Sequence, residues 1–145
     1  MTISEAVRTY ILAQTSFSNL VSTRLYPERA GQGLTSDFQQ ELETPYVTYH
    51  LELRDAAPTQ NGPTLIIEAT FAFIVVSRDY DEVFEVAEIL RAIMTDFKGV
   101  MGGASGIQIE AVTWAETVGG HISAKAAQAG LFGALAEFEV LYIPQ

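Results

Sequence analysis

Apolar and polar positions along the chain alternate between helix-like and strand-like spacing. Ile3, Val7, Tyr10/Ile11 and Gln14 recur at the helical period, with Ser4 able to cap and Glu5 in the first turn. They predict a first helix over 3–14. A short turn with Leu20 and Val21 follows and ends at Leu25-Tyr26-Pro27. Residues 28–44 are polar, contain two glycines and read as a long loop, a kind of segment that is usually functional or disordered.

From Tyr46 the period changes to two. Val47, Tyr49, Leu51 and Leu53 point one way; Tyr46, Thr48, His50 and Glu52 point the other. A hairpin loop with Pro58, Asn61-Gly62 and Pro63 separates this strand from the longest predicted one, 64–77. Asp79 then caps a second helix, with Asp81 and Glu82 in its first turn. Its stripe is Val83, Val86/Ala87, Leu90, Ile93/Met94 and Phe97, a helix of about 18 residues and about 27 Å, stopping near Lys98-Gly99. After the glycine-rich connector 102–106, residues 107–116 and 131–143 alternate again. The small, polar stretch 119–130 between them reads as a mobile hairpin tip.

The order α-β-β-α-β-β predicts an α+β two-layer sandwich, with a mainly antiparallel four-stranded sheet and two helices on one face. At 145 residues the chain reads as a single domain, 1–145. Val47, Leu51, Ile67, Phe71, Phe73, Ile109, Phe138 and Val140 form the apolar parity expected under the helices. A chain working alone should make the other face polar. That face is only half polar. It carries His50, Glu52, Glu68, Thr70, Glu110, Glu137 and Glu139, but also Ile66, Ile74, Val76, Val112 and Trp114. Either the loops 28–44 or 119–130 fold over the apolar part, or another subunit covers it. The second reading makes those five apolar residues a subunit interface.

Composition narrows the function. There is no cysteine, which excludes disulfides, thiolate catalysis and zinc–thiolate sites. The hydrophobic fraction of 48% and mean hydropathy of +0.18 exclude a disordered chain and suit one with covered apolar surface. The first residues lack the basic and apolar regions of a signal peptide, and no apolar run approaches a membrane span of about 20 residues. Eight basic residues face 18 acidic ones, a net charge of -10. The basic residues are scattered along the chain, so phosphate backbones and anionic membrane surfaces are poor partners.

Candidate chemistry is thin. His50 and Glu52 share a strand face, but carboxylates on a sheet surface are usually there for solvation. His121 reads as a solvated loop residue. The 102–106 glycines lack the lysine and the strand–loop–helix setting of a phosphate loop. No catalytic residue, metal ligand or cofactor is expected, and the chain is not read as an enzyme.

Two motifs stand out instead. Arg24-Leu25-Tyr26-Pro27 follows the first helix, and Thr44-Pro45-Tyr46-Val47-Thr48-Tyr49 opens the first long strand. A strand ending in Ser77-Arg78-Asp79-Tyr80 then leads into the second helix, and a final strand pair closes the domain. This arrangement resembles the tail-completion proteins of tailed phages, also called tail terminators or head-tail joining proteins.

The resemblance implies a virion protein made in the host cytoplasm. It implies a ring, usually of six copies, that ends the tail tube and docks onto the head connector, with DNA passing through unrecognised. Its partners are then its own copies, the tail tube protein and the connector or stopper protein. Glu137 and Glu139 become candidates for an acidic lumen. Arg29, Asp37, Arg54, Asn61, His121 and Lys125 become candidates for the docking loops. A head-side stopper, neck or minor tail protein is the alternative within the virion. A small-molecule-binding α+β dimer is the alternative outside it.

Overall fold

The computed structural model describes residues 1–27, 43–55, 65–119 and 130–144, with backbone alone at 55 and 116–119. Helix α1 (Ile3–Leu12) is capped by Thr2, not Ser4. The Glu5 N–H donates to Thr2 Oγ1 at 3.1 Å, and the Thr2 N–H donates to Glu5 Oε2 at 2.7 Å. This reciprocal pair satisfies two donors that a helix start leaves open. It also holds the Glu5 carboxyl below the usual range, chiefly through the backbone hydrogen bond at Thr2. Helix α2 (Thr15–Val21) occupies the stretch the sequence pattern left as a turn. Helix α3 (Tyr80–Met94) is capped by Asp79, whose Oδ1 accepts from the Asp81 N–H at 3.0 Å. It is three residues shorter than the spacing suggests, because the chain turns at Thr95 and Asp96, the latter at φ 62°.

Among the described residues six strands form one sheet, in the order β1-β2-β3-β6-β5-β4. They are β1 (Leu25–Pro27), β2 (Tyr46–Asp55), β3 (Ile67–Ser77), β4 (Gly99–Met101), β5 (Ile107–Gly119) and β6 (Phe132–Ile143). β1 runs parallel to β2; the other neighbours are antiparallel. The expected four-stranded sandwich with two helices is therefore incorrect. The chain folds as a mixed, strongly curled half-barrel sheet with three helices. The missed pieces are short. Three-residue strands and a seven-residue helix give too few positions to display a period. The longest strand is β5, not β3.

The core lies between the helices and one sheet face. Phe71 and Phe73 stack with centroids 5.8 Å apart, and Phe73 meets Phe138 edge-on at 5.9 Å. All three are fully buried, as are Ile11, Phe17, Leu25, Leu90, Met94 and Ile109. Polar ties fix the helices over this layer. The Tyr10 hydroxyl donates to the Ile93 carbonyl at 2.6 Å, joining α1 to α3. Ser4 Oγ and the Tyr49 hydroxyl share a hydrogen bond of 3.1 Å between α1 and β2.

β5 departs from strict alternation. Its register against β6 shifts between Ile109 and Ala111, and again between Trp114 and Glu116. Glu110 and Ala115 are the extra residues of two β-bulges. The first bulge reverses the parity, so Val112 joins the core and Trp114 packs against it. Arg91 of α3 lies over the Trp114 ring, 4.0 Å from its centroid. Val112 and Trp114 are thus on the helix side, and their expected place on the opposite face is corrected.

Deleting Glu110 removes the first bulge and leaves Ile109, Ala111, Val112 and Trp114 opposite the same partners, now in regular alternation with Val112 and Trp114 still facing the helices. Stability is expected to change by less than about 2 kcal/mol. The fluorescence of Trp114, the single tryptophan, should stay unshifted. Glu110→Ala keeps the residue count and should change the denaturation midpoint little. A deletion variant with the red-shifted emission of an exposed tryptophan would contradict this reading of the bulge.

Candidate assembly surface

Residues opposite one another in neighbouring antiparallel strands share a face, so the register lays out the surface away from the helices. Tyr46, Val76 and Gly133 form one row; Thr48, Ile74 and Leu135 the next. His50, Ala72 and Glu137 follow. Glu52, Thr70, Glu139 and Thr113 come after them. Arg54, Glu68, Leu141 and Ala111 make the last full row. The middle rows form an acidic band, bordered on one side by the apolar rows around Ile74 and on the other by the row that holds Arg54 and Glu68.

An ion pair borders the band: Arg54 Nη2 and Glu68 Oε1 are 2.7 Å apart. Glu68 is 14% exposed and Arg54 72%. The pair raises the Arg54 pKa, first through the hydrogen bond and then through the charge of Glu68, with Glu139 adding to it. His50 Nε2 lies 3.5 Å from Glu52 Oε1. Among the described residues no three His, Asp or Glu side chains converge as metal ligands. No helix among them is long and apolar enough to cross a membrane.

The candidate interface residues separate. Val76 is fully buried and stands opposite Tyr46, which is 2% exposed and contacts Tyr26, ring centroids 6.4 Å apart. The chain covers this apolar corner by itself. With Val112 and Trp114 on the helix side, Ile66 and Ile74 remain as half-buried apolar residues. Ile74 is on β3, and Ile66 directly precedes that strand. Glu137 is half-buried and Glu139 exposed, both within the acidic band. Of the candidate docking residues, Arg54 is on β2; Arg29, Asp37, Asn61, His121 and Lys125 lie outside the described residues.

Arg24 is structural. Its Nε donates to the Pro45 carbonyl at 2.9 Å and its Nη2 to the Leu20 carbonyl at 3.2 Å, with Glu43 Oε2 at 3.7 Å from Nη1. It ties the end of α2 to the chain entering β2, so both sequence motifs meet in one clamp.

The sequence pattern missed an exposed aromatic cluster. Tyr80 meets Phe84 at 5.1 Å and Phe132 at 5.4 Å, both edge-on. Tyr80 and Phe132 are among the exposed large apolar residues. Phe132 sits at the start of β6, opposite Ser77 and beside the start of α3.

No family model matches the chain, and no curated protein matches it. Solved structures do match. One is a chain of "Virion of native gene transfer agent (GTA) particle", with a TM-score of 0.71 and 12% sequence identity. The match covers 98% of this chain and 95% of that one. At this identity the likeness establishes a shared fold over the whole length.

Burial raises the pKa of Tyr46, Tyr10 and Tyr142 above the ordinary value of 10.0. A raised folded-state pKa contributes stability below the unfolded value, and that stability is lost as pH rises through the folded values. An alkaline titration followed by tyrosinate absorbance should therefore ionise fewer than the six tyrosines before unfolding begins. Ionisation of all six at about pH 10 with the fold intact would contradict the burial of these rings.

Proposed function

We propose that this chain is a structural protein of a phage-type virion, and that copies of it close the end of a tail tube as a ring joined to the head connector. The observation that carries the reading is the likeness of fold, over 98% of the chain, to a chain of a gene transfer agent virion. Motifs resembling those of tail-completion proteins support it independently, since they rest on residues and not on fold. We read the chain as non-enzymatic, with no cofactor and with DNA only in passage.

Electrostatics suits a passage for DNA. Six copies at -10 each carry about sixty negative charges, which would let a polyanion move without sticking. Glu137 and Glu139 sit centrally in the acidic band, flanked by Ala72, Thr70 and Thr113 across the sheet. The second face is thus our candidate for the lumen wall. Residues 28–44, 54–63 and 117–130 are the candidate docking segments.

Negative-stain imaging of the purified protein, alone and mixed with tail tubes, tests the reading. Rings, or caps on tube ends, are expected; binding to the head side alone would favour a stopper. A monomer or dimer that ignores tubes and heads would overturn it. In particles carrying Glu137→Gln and Glu139→Gln, assembly should proceed and DNA release should slow. Failed assembly would make the two residues interface groups.

A further inference from the structure

The sheet ends on both sides in strands of three residues. Each covers part of the long strand beside it. β1 pairs with Val47, Thr48 and Tyr49 of β2. β4 pairs with Ile107, Gln108 and Ile109 of β5, and the Asp96 N–H extends that cover to the Val112 carbonyl at 3.2 Å. Among the described residues, no strand borders the outer side of β2 over 51–55 or of β5 over 115–119.

β1 itself is closed to further pairing. Pro27 has no N–H. The Leu25 N–H donates to the Thr23 carbonyl at 2.8 Å, and the Leu25 carbonyl accepts from Arg8 Nε at 3.2 Å. The open stretch of β2 is different. The Val47 N–H points outward, to the Arg24 carbonyl at 2.9 Å. Strand alternation then points the amides of Leu51, Leu53 and Asp55 the same way. Leu53 is 55% exposed there. An uncovered strand edge with an apolar side chain is a template for pairing with another chain.

The partner with a matching edge is a second copy. The four long strands alternate in direction, so β5 is antiparallel to β2. A copy carried sideways along the sheet brings its β2 beside β5 in antiparallel orientation. Through the register, Val47 is level with Val75, Ala134 and Gly119, and Leu51 with Phe71, Phe138 and Trp114. The open stretch of β5 is therefore level with the β1-covered part of β2. A shift of about four residues along the strands brings 51–55 of the second copy against 115–119 of the first. It also carries the second copy's β1 past Gly119 and leaves β4 clear of its β2.

We infer that copies of this chain join edge to edge, β2 of one to β5 of the next, into one continuous sheet. The inference deepens the ring reading and rests on it. A shift of about four residues over four strands is about 13 Å along and about 19 Å across, a strand tilt of about 35°. Closed barrels have that tilt, so successive copies stay level along a common axis instead of climbing into a filament.

The absence of cysteine makes a direct test available. Leu53→Cys and Ala115→Cys are made singly and together, and a short thiol-to-thiol crosslinker is applied. The double variant should give a ladder of covalent multimers. A mixture of the two single variants should give dimers, and each single variant alone should stay uncrosslinked. Leu53→Pro, which removes an outward donor and no bond to β3, should stay folded by circular dichroism and fail to multimerise. Dimers from Leu53→Cys alone would mean two-fold β2–β2 pairing and would overturn the inference. Rings that persist while the double variant yields no crosslinks would overturn it and leave the ring reading standing. Wild-type protein that sediments as a monomer with and without tail tubes would overturn both.

Discussion

A sheet covered by helices on one side must deliver its large apolar side chains to that side, and this parity constraint organises the molecule. β2, β3 and β6 meet it by alternation, which sets Tyr49, Phe71, Phe73 and Phe138 in one layer. β5 meets it only with one extra residue, Glu110. Without the first bulge, Ile109 and Val112 could not both be buried against α3. Bulges also increase local twist, which fits a sheet curled into half a barrel.

The same sheet separates two kinds of surface. Behind the helices it is closed and aromatic. On the other face an acidic band runs from Glu52 through Glu139, and the apolar corner at Val76 is closed by Tyr46 and Tyr26. The free apolar surface on that face is thus smaller than its composition suggests. Among the described residues, stretches of β2 and β5 have no strand along their outer edges, and a partner that supplies strands matches such edges more directly than one that supplies an apolar patch.

The two motifs that prompted the comparison with tail-completion proteins do structural work. Arg24 bonds Leu20 and Pro45, Leu25 is buried, Tyr26 contacts Tyr46, and Pro27 closes an edge. Their role is to fix where β1 and β2 begin.

The sequence by itself determined the two longer helices, the four long strands and the apolar layer of Phe71, Phe73 and Phe138, because each extends over enough residues for its period to show. It also determined the acidic balance and the absence of cysteine chemistry. Tertiary structure alone decided the rest. Leu25-Tyr26-Pro27 and 99–101 become strands only because β2 and β5 offer them partners. Val112 and Trp114 change faces because a bulge adds one residue, which no periodicity count reveals. Phe132 is exposed where β6 starts, against Tyr80 of α3, and among the described residues the open edges of β2 and β5 follow from where two short neighbours stop. Periodicity is a property of one segment, whereas pairing, register and edges belong to segments brought together from distant parts of the chain.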